Sequence, residues 1–281
     1  MNRAFLPAGE ARVSVQDGGW LHGAGLFETM RAEAGRVFRL ESHIGRLRKS
    51  AEKLLRPIER DRLPSRVDFL DLLERNALKD ARVRMTVSAG PVTHDDPEAF
   101  SPTVCVTATT LAPPAPKTYE TGVQVALCDF RLAPGDPLAG HKTTAYLARL
   151  LGLRAAQRAR CMEALWFTTG NLLAEGCVSN VFVVKDNVLK TPPLDTPVLP
   201  GIARASVLDL ARENEIEALE CPLTIDDLLD ADEVFLTSAV IMVMPVVRVE
   251  KRDISAGRVG PVTARLLEGY RNLIRKECRH E

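Results

Sequence analysis

Glu175 is the only charged residue in the run Leu172–Val184, LLAEGCVSNVFVV, and it sits beside Gly176. The run continues as an alternating strand, Val181 to Val184, that turns at Asp186-Asn187. Further on, Leu199-Pro200-Gly201-Ile202-Ala203-Arg204 joins a Pro-Gly turn to an apolar-periodic helix carrying Ile202, Val207, Leu208, Leu210 and Ala211. The first N–H groups of such a helix lack intrahelical partners and suit a phosphate. In chemical terms the segment offers a buried acid on a hairpin and an anion-binding helix start. In plain structural terms it is a hairpin and a helix with Glu175 in a surface ion pair, the ordinary fate of an isolated acid.

Several cations carry the same double reading. Lys142, in His141-Lys142-Thr143-Thr144-Ala145-Tyr146, precedes an apolar helix, where a lysine is commonly a solvated terminus but is also an amine nucleophile. Arg46 lies beside the apolar stripe of a helix; it either covers that stripe with its stem or presents a planar guanidinium to an anion. Arg31 alternates with Phe27 and Thr29 on one strand face. Arg82 and Arg84 share a strand face with Thr86 and Ser88, either as a solvated face or as a carboxylate clamp.

The elements that position these residues follow from periodicity. After a short first strand, Gly18 to Leu40 reads as a glycine-rich turn and a hairpin with Gly35 in its turn. Glu41 to Leu55 reads as a helix with Ile44, Leu47, Ala51, Leu54 and Leu55 on one stripe. A polar helical region to about Lys79, a strand Arg82–Ser88 and a strand Thr103–Thr109 come next. The proline-rich stretch Leu111–Lys117 marks a linker, and the domain boundary is placed there, giving 1–116 and 117–281. Beyond it lie a strand Val123–Cys128 and a turn-rich loop to Gly140. A long helix then opens at His141, with Leu147, Leu150, Leu151 and Ala155 on its inner face. Strands Glu163–Phe167, Glu233–Ser238 and Ala239–Val247, a polar helix at Asp226–Leu229 and an amphipathic helix Pro261–Cys278 complete the reading.

Bulk properties bound the function. A chain of 281 residues accommodates two ordinary domains, and 46% hydrophobic with 26% charged residues is a globular composition. The 37 basic and 37 acidic residues cancel, which removes any global electrostatic case for nucleic acid or an anionic membrane and points to a small-molecule partner. Six scattered cysteines without a CxxC pair argue against a zinc site and a disulfide framework. The amino terminus has no apolar signal-like core and no run is long enough to span a membrane, so a cytoplasmic location is expected.

The pattern Glu-Gly-x-x-x-Asn-x-Phe, Leu-x-Thr, Leu-x-Gly-Ile-x-Arg over 175–204 resembles the signature of the class IV aminotransferase family. The blocks Gly25-Leu26-Phe27-Glu28-Thr29-Met30-Arg31, His43-Ile44-Gly45-Arg46-Leu47 and Leu138-Ala139-Gly140-His141-Lys142 are similar to the same family, so the resemblance covers nearly the whole chain. It implies an α/β chain of α+β type with the two-domain architecture called fold-type IV. That architecture has a small N-terminal α/β domain and a larger C-terminal mixed-sheet, barrel-like domain with flanking helices. It implies pyridoxal 5′-phosphate as cofactor, with Lys142 as its Schiff-base lysine and Glu175 on the pyridine nitrogen. Arg46, the N–H groups of Ile202 and Ala203, and Ser238 with Ala239 would hold the phosphate, and Tyr146 the ring hydroxyl. Phe27, Arg31 and Arg84 would bind substrate, and the protein would be a homodimer.

Departures from the family pattern bear on the reaction. Ala239 stands where many transaminases carry a threonine hydroxyl for the phosphate, and Tyr146 is one residue nearer the lysine than the tyrosine of branched-chain transaminases. Ala89 stands where D-amino-acid transaminases place an arginine, whereas Arg84 aligns with one of branched-chain transaminases. The Phe-Glu-Thr-Met-Arg block, the lysine context and the apolar Ser238–Val246 run look most like the 4-amino-4-deoxychorismate lyase branch, which releases pyruvate and 4-aminobenzoate. The alternative is an aminotransferase of branched-chain or related amino acids using 2-oxoglutarate.

Overall fold

The computed structural model describes residues 1–91 and 100–279. Its contacts divide the chain into two compact units, Met1–Ala112 with His141–Tyr146 and Ile274–Glu281, and Pro113–Gly140 with Leu147–Leu273. The division expected from sequence is contiguous, whereas these units are built from interleaved segments.

In the first unit a short helix α1 (Gly18–His22), capped by the Asp17 side chain, leads into β1 (Gly25–Glu33) and β2 (Arg36–Val37). Helix α2 (Leu40–Leu54) buries Leu40, Ile44, Leu47 and Ala51, the expected stripe. Helix α3 (Arg66–Arg75) starts in a Ser65/Asp68 capping box, in which two otherwise unpaired backbone donors find side-chain acceptors. Strands β3 (Ala81–Ser88) and β4 (Val104–Thr110) complete an antiparallel sheet of order β2-β1-β3-β4. Its core gathers Met30, Ala32, Val83, Met85 and Val87 with the α2 stripe and Phe69 and Leu73 of α3. The short first strand expected before Gly18 does not form; that region holds a 3-10 turn at Ala8–Glu10 and mostly exposed residues, and touches other chain segments at the Asp17/Pro91 bridge and through Asn2 N, which donates to Val104 O of β4.

The second unit opens with α4 (Pro116–Thr121), whose Pro116 takes a first-turn position that needs no N–H. Its sheet comprises β5 (Val123–Leu132), β6 (Glu163–Thr168), β7 (Leu173–Gly176), β8 (Asn180–Lys185) and β9 (Val188–Thr191). It continues with β10 (Ala218–Glu220), β11 (Glu233–Ser238), β12 (Met242–Val249) and β13 (Arg252–Asp253). The order is β10-β9-β8-β11-β12-β5-β6-β7, with β13 on β12 and parallel pairs at β10/β9, β12/β5 and β5/β6. The far strand β7 returns to β8 through a tight turn closed by Gly176 N donating to Ser179 O at 2.8 Å, so the sheet curls back on itself. Helices α5 (Leu147–Arg158), α6 (Ile202–Glu213), α7 (Ile225–Leu229) and α8 (Pro261–Arg279) accompany it.

Three expectations need correction. The helix expected from His141 begins at Leu147, because 142–144 is drawn out as extended chain along the edge of β1. The leucines expected on the inner face of α5 lie outside: Leu147, Leu150 and Leu151 are 66%, 42% and 41% exposed, and small residues Gly152 and Ala156 pack inward. The run expected as a strand from Ala239 begins with a hairpin turn, so β12 starts at Met242. In addition, β8 is buried on both faces rather than alternating in and out, and its turn at Asp186-Asn187 has positive φ at both residues (51° and 63°), as a tight hairpin of this hand requires.

Candidate active site

In the first unit the chain around Lys142 is stitched to β1. Phe27 N donates to Lys142 O at 2.9 Å and Thr144 N to Gly25 O at 2.8 Å, while the Thr144 hydroxyl donates to Gly23 O at 2.8 Å. Only glycine fits at 25, since a Cβ there would come within 2.9 Å of Thr144 Oγ1. His141 Nδ1, 2.9 Å from Ser50 Oγ on α2, anchors the other end. The lysine is thus held by backbone pairing rather than by a helix.

Its amine lies 4.6 Å from the centre of the Phe27 ring, and the Arg84 guanidinium lies 3.7 Å from the same centre. The register explains this: Thr29 pairs with Arg84 and Phe27 with Thr86, so Phe27 and Arg84 are diagonal neighbours on one sheet face. Tyr146 closes edge-on against Phe27, with ring centres 5.3 Å apart at 82°. Burial, and then the neighbouring Arg82, lower the Arg84 pKa, though a guanidinium remains charged at neutral pH.

Arg31, expected in the same substrate set, ion-pairs with Glu33 at 3.4 Å and is 11% exposed. Arg46 gives Nε and Nη2 to the two oxygens of the buried Glu28, at 2.8 and 2.5 Å, and His43 Nδ1 lies 2.8 Å from the same carboxylate. Burial alone would raise Glu28, but the Arg46 charge and the hydrogen bonds of His43 and Arg46 outweigh it and bring it to about 2. Burial lowers the His43 pKa despite Glu28, so the contact is a neutral imidazole N–H on a carboxylate. Neither Glu28 nor His43 is among the expected site residues, although both fall inside quoted motifs.

The second unit brings Glu175, the start of α6 and the β11–β12 turn to one end of its sheet. Asn180 pairs with Thr237, next to Ser238, and its amide donates to Leu199 O at 2.9 Å and to Glu175 Oε2 at 3.4 Å. Leu199 N donates to the same oxygen at 2.9 Å, and Arg149 Nη2 to Glu175 Oε1 at 2.5 Å. A Cβ on Gly201 would collide with the Asn180 amide, which is why glycine precedes α6. No side chain caps α6 among the described residues, so the first N–H groups of the helix, those of Ile202 and Ala203, have no capping side chain. The Ser238 hydroxyl accepts from Ile241 N at 3.4 Å inside the turn that carries Ala239.

These residues fit a phosphorylated pyridine. Glu175 is 3% exposed and receives three donors, while a carboxylate offers about four acceptor sites, which leaves one for a ring N–H. An uncapped helix start supplies N–H groups to a phosphate. Arg149 and Leu199 are the participants that sequence reasoning missed. Arg149 lies in no motif, and Leu199 acts through its backbone.

A model of the amino-transferase class IV family matches residues 25–249. A "Putative branched-chain-amino-acid aminotransferase" of Methanocaldococcus jannaschii is 36% identical over 276 residues, 97% of this chain and 95% of that protein. A D-alanine aminotransferase of Bacillus licheniformis is 32% identical over 278 residues, 98% and 96% of the two chains. The crystal structure of the Escherichia coli branched-chain amino acid aminotransferase superposes with a TM-score of 0.90 at 28% identity, covering 100% of this chain and 95% of that one. A second branched-chain amino acid aminotransferase, solved with pyridoxamine 5′-phosphate, does so at 0.88 and 28%, covering 100% and 94%. A "Putative 4-amino-4-deoxychorismate lyase" of Legionella pneumophila, at 0.84 and 23% identity over 97% and 98%, shares the fold alone. With a family model over most of its length and a 36% identical relative along nearly all of it, this chain belongs to the class IV aminotransferases, enzymes dependent on pyridoxal phosphate.

Proposed function

We propose that this enzyme is an aminotransferase of branched-chain or related amino acids that uses 2-oxoglutarate. The reading that the sequence favoured, aminodeoxychorismate lyase, gives way: its structural neighbour supports fold only, while the more similar relatives are named aminotransferases. The observation that carries the proposal is the Lys142–Phe27–Arg84 arrangement. One guanidinium and one amine flank a single apolar ring, which suits an amino acid with one carboxylate and an aliphatic side chain.

The residues take these roles. Lys142 would hold the cofactor through its amine and, as a free amine, would serve as the base that moves a proton at the substrate Cα. Bound there, pyridoxal phosphate supplies the electron sink for the bonds at Cα. Glu175 accepts from the ring N–H. Arg46, steered by Glu28, would offer its guanidinium to the phosphate in the first unit, and Tyr146 its hydroxyl to the ring; in the second unit the Ile202 and Ala203 N–H groups and the Ser238–Ala239 turn would serve the phosphate. Arg84 clamps the substrate carboxylate over Phe27. The enzyme acts as a homodimer, and the exposed Leu147, Leu150 and Leu151 of α5 give it an apolar face of the kind that C₂ contacts bury.

Incubation with L-leucine and 2-oxoglutarate should yield glutamate, with little product from D-alanine. Arg84→Ala should raise KM for leucine by ~10- to 200-fold, the range of a lost charge-assisted pair. Release of 4-aminobenzoate from aminodeoxychorismate, with no glutamate from leucine, would overturn the proposal in favour of the lyase.

A further inference from the structure

We infer that Arg149 is a positioning residue that fixes the Glu175 carboxylate for the cofactor ring nitrogen. The inference rests on the reading of Glu175 given above and goes beyond it.

Arg149 grips the acid at one of three contacts that fix the guanidinium. Nη2 donates to Glu175 Oε1 at 2.5 Å, Nη1 donates to Gly176 O at 2.8 Å, and the guanidinium carbon lies over the Trp166 ring, 5.1 Å from its centre. Trp166 and Glu175 are direct partners across the β6/β7 ladder, so one arginine straddles a cross-strand pair, lying over the ring of one member and gripping the other. Leu199 N and Asn180 hold Oε2 from the opposite side. With each oxygen held, the carboxylate cannot rotate without losing a hydrogen bond, and the remaining acceptor site keeps a set direction.

The backbone beneath is gripped as well. A Cβ on Gly176 would strike the carboxyl group of Glu163, a second buried acid that accepts from Val178 N at 2.6 Å. The Gly176 peptide is therefore packed on Glu163 and tied at its carbonyl to Arg149. A planar fork can serve a carboxylate and a neighbouring carbonyl together; a lysine ammonium, a point charge on a flexible stem, does this poorly. The geometry is that of a partner that orients a ligand from behind, a role whose loss in metal sites costs about 10- to 100-fold in affinity or activity.

The test titrates pyridoxamine 5′-phosphate into cofactor-free wild-type protein and into R149K, R149M, E175Q and the R149M/E175Q double variant, following binding calorimetrically. Arg149→Met is expected to weaken binding by about 10-fold or more, and Arg149→Lys by less. Because Arg149 acts through Glu175, the double variant should bind about as weakly as E175Q alone, the non-additivity of residues in one network. If the R149M and E175Q losses multiply, Arg149 acts independently and the inference is overturned. Wild-type affinity in R149M overturns it equally. Should R149M fail to fold, R149Q, which keeps polarity without charge, takes its place, and wild-type affinity there has the same force. Wild-type affinity and turnover in E175Q would instead remove the role of Glu175 itself.

Discussion

Replacing Glu175 by glutamine probes the centre of the second unit's site with one atom changed. Both oxygens of Glu175 face donors: Arg149 on Oε1, and Leu199 N with Asn180 on Oε2. An amide has one oxygen and one NH₂, so it cannot accept on both sides. Whichever way it turns, Arg149 or the Leu199 N–H confronts another donor, at ~1–3 kcal/mol for a buried group left unsatisfied. Glu175→Gln should therefore lower Tm by a few degrees while the fold persists. The ring N–H loses its anionic partner in the same step, and removal of one such preorganised electrostatic contact typically costs ~10²- to 10³-fold in kcat, or ~2.7–4 kcal/mol. Steady-state kinetics with leucine and 2-oxoglutarate, with cofactor content quantified by absorbance, separate rate loss from cofactor loss. Wild-type kcat with full cofactor content would refute the reasoning, because a neutral amide would then serve as well as the acid.

Other perturbations address separate parts of the molecule. The purified protein should be yellow, from the visible absorption of the lysine-bound cofactor, and Lys142→Ala should abolish that band and turnover together; a retained band would move the cofactor lysine elsewhere. Light scattering should give a dimer, and Leu150→Asp with Leu151→Asp should shift it toward monomer; a fully active monomer in the wild type would contradict the proposed assembly. Burial, only partly offset by the Val178 N–H, Ser179 and Arg149, raises Glu163 to about 7. A carboxyl held above its unfolded value contributes stability that is fully present at acid pH, falls as pH climbs from about 4.5 through about 7, and levels off beyond. Glu163→Gln, which mimics the protonated acid, should flatten that part of the stability-against-pH curve in urea titrations, and an unchanged slope would show that Glu163 is not its source.

Much of this enzyme is legible in its sequence because much of it is local. The stripe Ile44-Leu47-Ala51 identifies α2, the 233–238 run identifies β11, Asp186-Asn187 identifies a hairpin turn, and a Pro-Gly step announces the open start of α6. The motifs around Lys142, Arg46 and Glu175 carry the family and the cofactor, since chemistry of this kind needs particular residue types at particular places. Tertiary structure decided the rest, where partners are remote along the chain. Lys142 lies in extended chain because Phe27 N donates to its carbonyl and Gly25 O accepts from Thr144 N, which outweighs the helical tendency of the residues that follow. Leu147, Leu150 and Leu151 of α5 face outward because Gly152 and Ala156 take the positions against Cys177, Cys128 and Trp166, with Leu153 packed alongside, and helical periodicity alone cannot say which side is inside. Arg31 pairs with Glu33 two places along its own strand, a local contact, whereas Arg149 on α5 meets Glu175 on β7, 26 residues away, and which helix lies beside which strand is a property of the folded chain.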